Sequence, residues 1–355
     1  MNKRKRTASI SPPPMKTQKV LDSYTSPLRT NALFEAGQAK LNHVSNTSSS
    51  ASAGASNTLK RTIKLISWNC DGLNKYLSPD NTTLDKFITR RGSPTRNTAK
   101  TSFLTQFLAQ HSPDVLCLQE VHVSSSKRAS LLRRLKSDAP NYEATCCLPA
   151  SNKHAGVVTL CIKSLAVKHT MEVDWDHEGR VLIHELDGLT LFNVYCLNSS
   201  DHPWRDATGT IKGTRAERKR QFQRLLAQEM LLQSAEQPVV ALGDFNISRF
   251  ALDATPGTLR TQETHVKNRR EFNALFGKFV DLIREAHPSA RKYTWHSRTG
   301  TSEARVDLIL ASSDVQRTVC DTMESVGRGQ SDHSPLFAAI LIPSQQISGQ
   351  LFDQC

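Results

Sequence analysis

The sequence predicts an α/β protein in which a mixed β-sheet system is covered by helices. Short apolar segments of strand length alternate with longer segments whose apolar residues recur at helical spacing. Segments 180–185 and 189–195 are joined by Asp187-Gly188, a pair typical of hairpin turns, so antiparallel strands accompany parallel ones. The 355 residues are 38% hydrophobic and 22% charged, a globular composition sufficient for one large domain or two small ones.

Each element is predicted from its local pattern, beginning with an apolar run after Arg61. A second apolar run follows Pro113, and between the two runs Phe103 and Phe107 lie one helical turn apart. The predicted helices are 98–111, 215–233 and 270–276, and the predicted strands are 63–68, 114–119, 156–162, 180–185, 189–195, 239–242, 306–310 and 336–342.

The amino-terminal segment 1–60 differs in composition from the rest of the chain. Its net charge is +7, out of +13 for the whole protein, and it contains a run of three prolines and a serine-rich stretch. Such a segment buries too little apolar surface to offset its chain entropy, so we expect it to be disordered. The predicted organisation is therefore a basic tail at 1–60, a catalytic domain at 61–345 and a short tail at 346–355.

Composition also bears on the subcellular localisation of the protein. No apolar run is long enough for a transmembrane helix, and no signal-peptide pattern is present. The eight cysteines have no zinc spacing, so we expect them to be reduced and mostly buried. The cluster Lys3-Arg4-Lys5-Arg6 favours a nuclear localisation signal, while the acid-poor, serine-rich segment around it leaves a mitochondrial signal as the alternative.

Polar residues gather where several predicted strands begin or end. Strand ends are surface positions on a rigid scaffold, where catalytic groups are usually mounted. If these ends converge, several carboxylates share one cleft and need a cation, for which Mg²⁺ is the natural choice and Mn²⁺ can substitute. The residues in question are Asn69, Asp71, Glu120, Asp244, Asn246, Asp332 and His333.

Taken singly, each of these residues has a simpler interpretation. An acidic residue at a strand end is usually a solvated turn residue, and His333 alone is more often a hydrogen-bonded structural histidine. Asp307 is different because it lies among Val306, Leu308 and Ile309, so that if buried it must be paired or metal-bound. The argument therefore depends on the combination and the order of the clusters.

That order resembles the endonuclease/exonuclease/phosphatase superfamily, the DNase I-like fold, and within it is most similar to exonuclease III-type abasic-site endonucleases. The resemblance spans roughly residues 61–343. Six motifs carry it: Ser67-Trp-Asn-Cys-Asp-Gly-Leu73, Leu118-Gln-Glu-Val121, Asn193-Val-Tyr-Cys-Leu-Asn198, Gly243-Asp-Phe-Asn-Ile247, Arg305-Val-Asp-Leu-Ile309 and Ser331-Asp-His-Ser-Pro335.

The resemblance implies a four-layer sandwich of two packed β-sheets flanked by helices, and metal-dependent hydrolysis of a phosphodiester. Glu120 would be the main metal ligand, with Asp71, Asp332 and Asn69 nearby. Asp244 would orient or deprotonate the attacking water, with its carboxylate held by Asn69 and Asn246. His333, paired with Asp307, would contact the scissile phosphate. Tyr195 would donate a hydrogen bond to a phosphate oxygen.

Other positions depart from the abasic-site enzymes. His122 replaces a lysine two places after the glutamate, and Ala304 replaces a tryptophan that helps to wall the abasic pocket. Trp295 is expected to fill part of that pocket, or else to be a large core or rim aromatic. Basic residues near 205–224 are expected to contact the DNA backbone, with a solvated helix face as the alternative. The predicted contacts are Arg205, Arg215 and Arg220.

These features predict a monomeric Mg²⁺-dependent DNA phosphodiesterase that cleaves the backbone at abasic or damaged sites during DNA repair. A retroelement-type endonuclease and a tyrosyl-DNA phosphodiesterase are alternatives with similar motifs. A phosphoinositide or phospholipid phosphohydrolase of the same fold is an alternative of another class. The net charge of +13 favours DNA as the partner over a membrane.

Overall fold

The structure is a computed structural model that describes residues 60–79, 101–150, 155–206, 208–327 and 329–343. All of these residues fall in one compact unit. The two predicted tails, including the proposed localisation signal, lie outside the described residues, apart from Lys60. No helix in the described segments has both the length and the apolarity needed to cross a membrane.

Sixteen strands occur within the described residues. They are β1 (Lys60–Asn69), β2 (Val115–Gln119), β3 (Tyr142–Cys147), β4 (Val157–Ile162), β5 (Val167–Met171), β6 (Val181–Leu186), β7 (Leu189–Tyr195), β8 (Pro203–Arg205), β9 (Ile211–Thr214), β10 (Val239–Asp244), β11 (Val280–Asp281), β12 (Trp295–His296), β13 (Glu303–Ala304), β14 (Asp307–Ala311), β15 (Gln316–Thr322) and β16 (Leu336–Pro343).

The same part of the chain contains six α-helices and three short 3₁₀ turns. The helices are α1 (Phe103–His111), α2 (Arg128–Asp138), α3 (Arg215–Gln233), α4 (Glu263–Leu275), α5 (Leu282–Ala286) and α6 (Glu324–Gly327). The 3₁₀ turns are Leu73–Tyr76, Ser125–Lys127 and Ala251–Asp253.

Local sequence explains where the main helices start. Helix α1 begins after Ser102, whose hydroxyl accepts a hydrogen bond from the backbone N–H of Thr105. Helix α3 begins with a capping box, in which Thr214 and Glu217 satisfy each other's backbone N–H groups. These caps place the start of α3 at Arg215, as predicted, and the start of α1 at Phe103. Residues 98–100 of the predicted first helix lie outside the described residues.

The strands form two six-stranded mixed sheets. The first sheet has the order β15-β16-β1-β2-β4-β3 and the second has the order β11-β14-β10-β7-β6-β5. Residues from the inner faces of both sheets form one apolar core between them. The outer face of the first sheet packs on α1 and α2, and the outer face of the second packs on α3 and α4. This is the predicted four-layer sandwich.

A buried polar network crosses the core between the sheets. Gln119 at the end of β2 donates through Nε2 to Asn193 Oδ1 on β7 at 2.8 Å. Asn193 Nδ2 in turn donates to the carbonyl of Val158 on β4 at 2.9 Å. Since buried amides left without partners are costly, this network favours one register of the two sheets.

Four of the strands that the sequence analysis missed, β3, β5, β11 and β15, lie at sheet edges, where one side is unpaired and the apolar pattern is weak. The two-stranded pairs β8–β9 and β12–β13 and the helices α2, α5 and α6 were also missed. The predicted helix 270–276 was too short, because α4 already begins at Glu263 with a largely exposed first turn.

Candidate active site

Strand registers bring the predicted residues to one end of the sandwich. In the first sheet β1 and β2 are parallel, with Asn69 opposite Gln119, so Asn69 and Glu120 leave the sheet side by side. In the second sheet β10 is parallel to β7 and antiparallel to β14, which places Asp244 opposite both Tyr195 and Asp307. Both sheets therefore present their polar residues at the same edge.

Asn69 connects the acidic residues of the two sheets. Its Nδ2 donates to Glu120 Oε1 at 2.9 Å and to Asp244 Oδ2 at 3.0 Å, and lies 3.5 Å from His333 Nε2. The Asn69 side chain is buried at the junction of the sheets. A single buried amide thus holds the predicted metal ligand, the predicted base and the histidine within one cluster.

His333 is fixed from its ring and from its backbone. Nδ1 donates to Asp307 Oδ2 at 2.8 Å, which directs Nε2 towards Asp244, 4.0 Å from Oδ2. The backbone carbonyl accepts a hydrogen bond from the Trp68 indole at 3.0 Å. Its backbone also forms a bridge with Trp295. The histidine and aspartate of two distant motifs are therefore paired as predicted.

The Asp244 carboxylate is held by donors only. Its Oδ1 accepts from the backbone N–H of Asn246 at 2.7 Å, and its Oδ2 accepts from Asn246 Nδ2 at 3.2 Å as well as from Asn69. Gly243 is required before it, because a Cβ there would lie 1.9 Å from the backbone oxygen of Val194. The Gly-Asp-Phe-Asn motif is thus explained by packing as well as by chemistry.

The ionisable groups of the cluster have pKa values that are shifted in different directions. Burial and the neighbouring Asp307 carboxylate raise the pKa of Asp244 above its ordinary value. Burial alone would lower the pKa of His333, but the carboxylates of Asp307 and Asp244 raise it to about 10. Burial likewise opposes ionisation of Glu120, but hydrogen bonds from His122, Asn69 and Tyr195 lower its pKa to about 2. His333 is therefore cationic and Glu120 anionic at neutral pH. The Asp244 carboxylate binds a proton more tightly than the Glu120 carboxylate does.

The donor set around Glu120 fits a divalent cation. Asp71, Glu120 and His122 each offer a ligand atom, and these atoms lie within 4.8 Å of one another. In this group of described residues Asp332 is absent, although it was predicted to share the cation. Its carboxylate instead accepts a hydrogen bond from the Trp295 indole at 3.2 Å. Asn69 was predicted as a further ligand, but its amide N–H groups point at the carboxylates.

Backbone strain marks the same residues. Five non-glycine residues in the described segments have positive φ, and four of them belong to this site. Such conformations cost free energy and persist where the surrounding structure enforces them, commonly at functional sites. The four are Asp71 at 44°, Glu120 at 51°, His122 at 54° and Asn246 at 52°.

Tyr195 lies at the end of β7 beside the acidic residues, opposite Asp244. Its expected contact with a phosphate oxygen stays a prediction. Its ring is buried and lies under the guanidinium of Arg180, 4.8 Å from the ring centroid. Its hydroxyl helps to lower the pKa of Glu120 and so favours the ionised carboxylate.

An open cavity of about 360 Å³ extends from this cluster. Glu120, Asn246, Asp332, His333 and Trp295 all line it. Ala304 also lines it, so the smaller side chain noted in the sequence opens onto this space. Trp295 is therefore a rim residue of this cavity, and its expected role in filling an abasic pocket stays a prediction.

The predicted DNA-contact arginines are scattered. Arg205 and Arg215 are exposed on β8 and at the start of α3, and neither lines the cavity. Arg220 is buried, donates to Asn268 Oδ1 at 2.9 Å and pairs with Glu271, so it ties α3 to α4. The expectation that Arg220 contacts the DNA backbone is therefore corrected, since its guanidinium is already engaged.

Two residues of the site were not assigned by sequence reasoning. His122 was noted only as a departure from the family pattern, yet its Nε2 lies 3.2 Å from Glu120 Oε2. Lys219 was assigned to a basic helix face, but it is buried and donates to the backbone oxygen of Asn246 at 2.6 Å. The signal available for Lys219 was its spacing from Ala216, Phe222 and Gln223, which are buried on the same helix.

Comparisons with known proteins agree with this geometry. The chain is 26% identical to an exodeoxyribonuclease of Streptococcus pneumoniae over 304 residues, covering 78% of the chain and 99% of that protein. It is 23% identical to a DNA-(apurinic or apyrimidinic site) endonuclease of Dictyostelium discoideum, covering 77% of the chain and 69% of that protein.

Solved structures share the fold. The Xenopus laevis APE2 catalytic domain is 22% identical with a TM-score of 0.58, covering 80% of the chain and 94% of that domain. An AP endonuclease from Archaeoglobus fulgidus is 20% identical with a TM-score of 0.57, covering 78% and 99%. The model of the endonuclease/exonuclease/phosphatase family matches residues 66–333. The superfamily predicted from six motifs is thereby confirmed: the chain belongs to the endonuclease/exonuclease/phosphatase family and is a phosphodiester hydrolase.

Proposed function

We propose that this protein is a Mg²⁺-dependent DNA phosphodiesterase that cleaves the backbone at abasic or damaged sites during DNA repair. The observation that carries the proposal is the Asn69 amide joining Glu120 to Asp244 beside the His333–Asp307 pair. Relatives named as an exodeoxyribonuclease and as an abasic-site endonuclease support DNA as the substrate. The cationic chain also favours a polyanionic substrate over a neutral one.

The residues divide the reaction among themselves. Asp244, whose raised pKa suits a proton acceptor, takes a proton from the attacking water, while Asn69 and Asn246 hold its carboxylate. The imidazolium of His333 donates to an oxygen of the scissile phosphate and stabilises the charge that builds up there. Asp307 keeps that ring oriented and charged.

The metal would be held by Asp71 and Glu120, with His122 at the edge of the set. A divalent cation bound there would neutralise phosphate charge and assist departure of the leaving oxygen. Two carboxylates suit the oxygen preference of Mg²⁺, and Mn²⁺ can occupy the same ligands. The Asn69 amide orients Glu120 for this role.

A substrate panel tests the proposal. The full-length protein is incubated with oligonucleotides that are intact, that carry one abasic site or that end in a 5′-tyrosyl group, and with inositol phosphates. Each is assayed with Mg²⁺, with Mn²⁺ and with EDTA. We expect incision of the abasic strand with either metal and none with EDTA. Preference for the tyrosyl end or for inositol phosphates would overturn the assignment, as would cleavage that persists in EDTA.

We also propose a nuclear location, for which the basic cluster Lys3-Arg4-Lys5-Arg6 is the support. A fluorescent fusion of the full chain is compared with the same fusion lacking residues 1–60. Nuclear signal that depends on this segment is the expected result. Mitochondrial signal from the full chain, or nuclear signal from the truncated chain, would contradict the proposed address.

A further inference from the structure

Basic residues also line the cavity beside the reaction centre. Lys219 on α3, Arg260 on the loop before α4, and His265 and Arg269 on α4 line the cavity that also contains His333, and we call this group the basic wall. His265 and Arg269 are four residues apart and so share one face of the helix. The cavity is therefore lined both by acids of the reaction centre and by the basic wall.

The cations on this wall lack carboxylate partners. Among the residues that the structure describes, no carboxylate lies within ion-pair distance of Lys219, Arg260 or Arg269, and Arg269 makes no hydrogen bond. By contrast, the acids lining the cavity are engaged: Asp332 by Trp295, Glu120 by Asn69 and Glu303 by His296. The cations of the basic wall thus line the cavity without a carboxylate partner, whereas its acids have partners.

Lys219 makes this arrangement costly unless an anion is present. Its side chain is 1% exposed, and its ammonium has one acceptor, the backbone oxygen of Asn246, for three N–H donors. Burial lowers the pKa of Lys219 to about 8, although the Asp244 carboxylate, beyond ion-pair distance, opposes this, because the ammonium loses hydration that a single carbonyl does not replace. Burial, together with the nearby Arg260, Lys219 and Arg269, also lowers the pKa of His265, as expected where positive groups crowd together.

We propose that Lys219, Arg260, His265 and Arg269 form a subsite for a second phosphate of the cleaved strand, distinct from the scissile phosphate. This inference rests on the proposed function, since it takes the ligand to be a nucleic-acid backbone. A phosphodiester supplies the anionic oxygens that guanidinium and ammonium groups bind best. With one phosphate at His333 and another at this wall, the strand is held at two points across the cavity.

Phosphate neutralisation combined with substitution tests the subsite. Arg269→Gln is compared with Arg270→Gln, a matched control on the same helix whose side chain is exposed and does not line the cavity. Each full-length variant is assayed on strands in which one flanking phosphate at a time is replaced by a neutral methylphosphonate. We expect one position at which this change lowers kcat/KM of the wild type about tenfold.

At that position Arg269→Gln is expected to be about tenfold slower on the natural strand and insensitive to the neutral linkage. Arg270→Gln should respond to the linkage as the wild type does. Independent, additive losses for Arg269→Gln at every position would overturn the subsite, as would equal losses in both variants. A wild type that cleaves none of the natural strands would instead overturn the proposed function.

Binding without catalysis provides a second readout. In EDTA, the affinity for the same strand is measured as a function of salt concentration. Arg269→Gln should lower the slope of log Kd against log salt by about one, the change expected for one lost phosphate contact. A slope equal to that of the wild type would contradict a phosphate at this wall.

Discussion

Two buried ionic clusters lie on either side of Val306, and they differ in their balance of charge. Arg305 belongs to the first cluster, where its guanidinium donates to Asp253 and with two nitrogens to Asp281, each at 2.9 Å. Arg249 and Arg284 contact the same two aspartates. Every carboxylate in this cluster therefore faces at least one guanidinium.

Asp307 belongs to the second cluster, where carboxylates outnumber cations. Asp307, Asp244 and Glu120 share one imidazolium, that of His333, and two neutral amides. The first cluster is complete within the protein, and its geometry fits a structural role. The second cluster is short of positive charge, which is the arrangement expected when a metal ion completes the site.

Removing His333 should produce the largest effect on activity. His333→Ala deletes the imidazolium that pairs with Asp307 and stabilises charge on the phosphate. We expect kcat to fall by about 10²- to 10⁴-fold. Steady-state kinetics measure the loss. A smaller loss, in a variant whose melting temperature and circular dichroism match the wild type, would contradict a catalytic role for the second cluster.

The cluster around Arg305 should respond in stability instead. Arg305→Met leaves Asp253 and Asp281 buried with fewer partners, so the free energy of unfolding should drop by about 3–5 kcal/mol. Urea denaturation measures the loss. A variant as stable as the wild type would show that the cluster does not hold the fold together.

A third test sharpens the role of Asp307. Since its carboxylate makes the largest contribution to raising the pKa of His333 to about 10, the wild-type ring stays protonated through neutral pH. In Asp307→Asn the burial that lowers this pKa remains and the largest raising charge is gone, while Asp244 and Asp332 still raise it, so the pKa should fall below its wild-type value. NMR titration of the ring in metal-free protein measures it, and an unchanged titration would exclude Asp307 as the cause.

The smallest effect should come from an exposed ion pair. Arg224 pairs with Glu271, but its side chain is 56% exposed, so solvent already screens its charge. Arg224→Met is therefore expected to cost less than about 1 kcal/mol of unfolding free energy in the same urea experiment. A loss as large as that of Arg305→Met would show that burial does not determine how much these ion pairs contribute to stability.

Much of the active site was predictable because its residues sit at strand ends whose order is readable in the sequence. Asn69, Glu120, Asp244, Asp307 and His333 follow or begin apolar strands, so their convergence needed only the sheet order that the six motifs implied. The central strands were predictable for the same reason, since burial on both faces gives them a continuous apolar pattern.

What failed depends on tertiary contacts that no local pattern records. Lys219 and Arg220 belong to a basic segment that was expected to contact the DNA backbone, with a solvated face as the alternative, yet packing of α3 on α4 buries both. Asp253 lies in a 3₁₀ turn and Asp281 caps a short helix. No local sequence pattern identifies either residue as a partner of Arg305. Asp332 is absent from the group of candidate metal ligands, and its carboxylate accepts a hydrogen bond from Trp295, which lies 37 residues away in the sequence.

The central claim is that a cation held at Glu120 completes the acidic cluster for phosphodiester hydrolysis. It is tested most directly by single-turnover cleavage of an abasic oligonucleotide in Mg²⁺ by the wild type and by Glu120→Gln. We expect the variant to bind the strand as tightly as the wild type and to cleave it at least about a hundredfold more slowly. Wild-type cleavage by a folded Glu120→Gln protein would contradict the account.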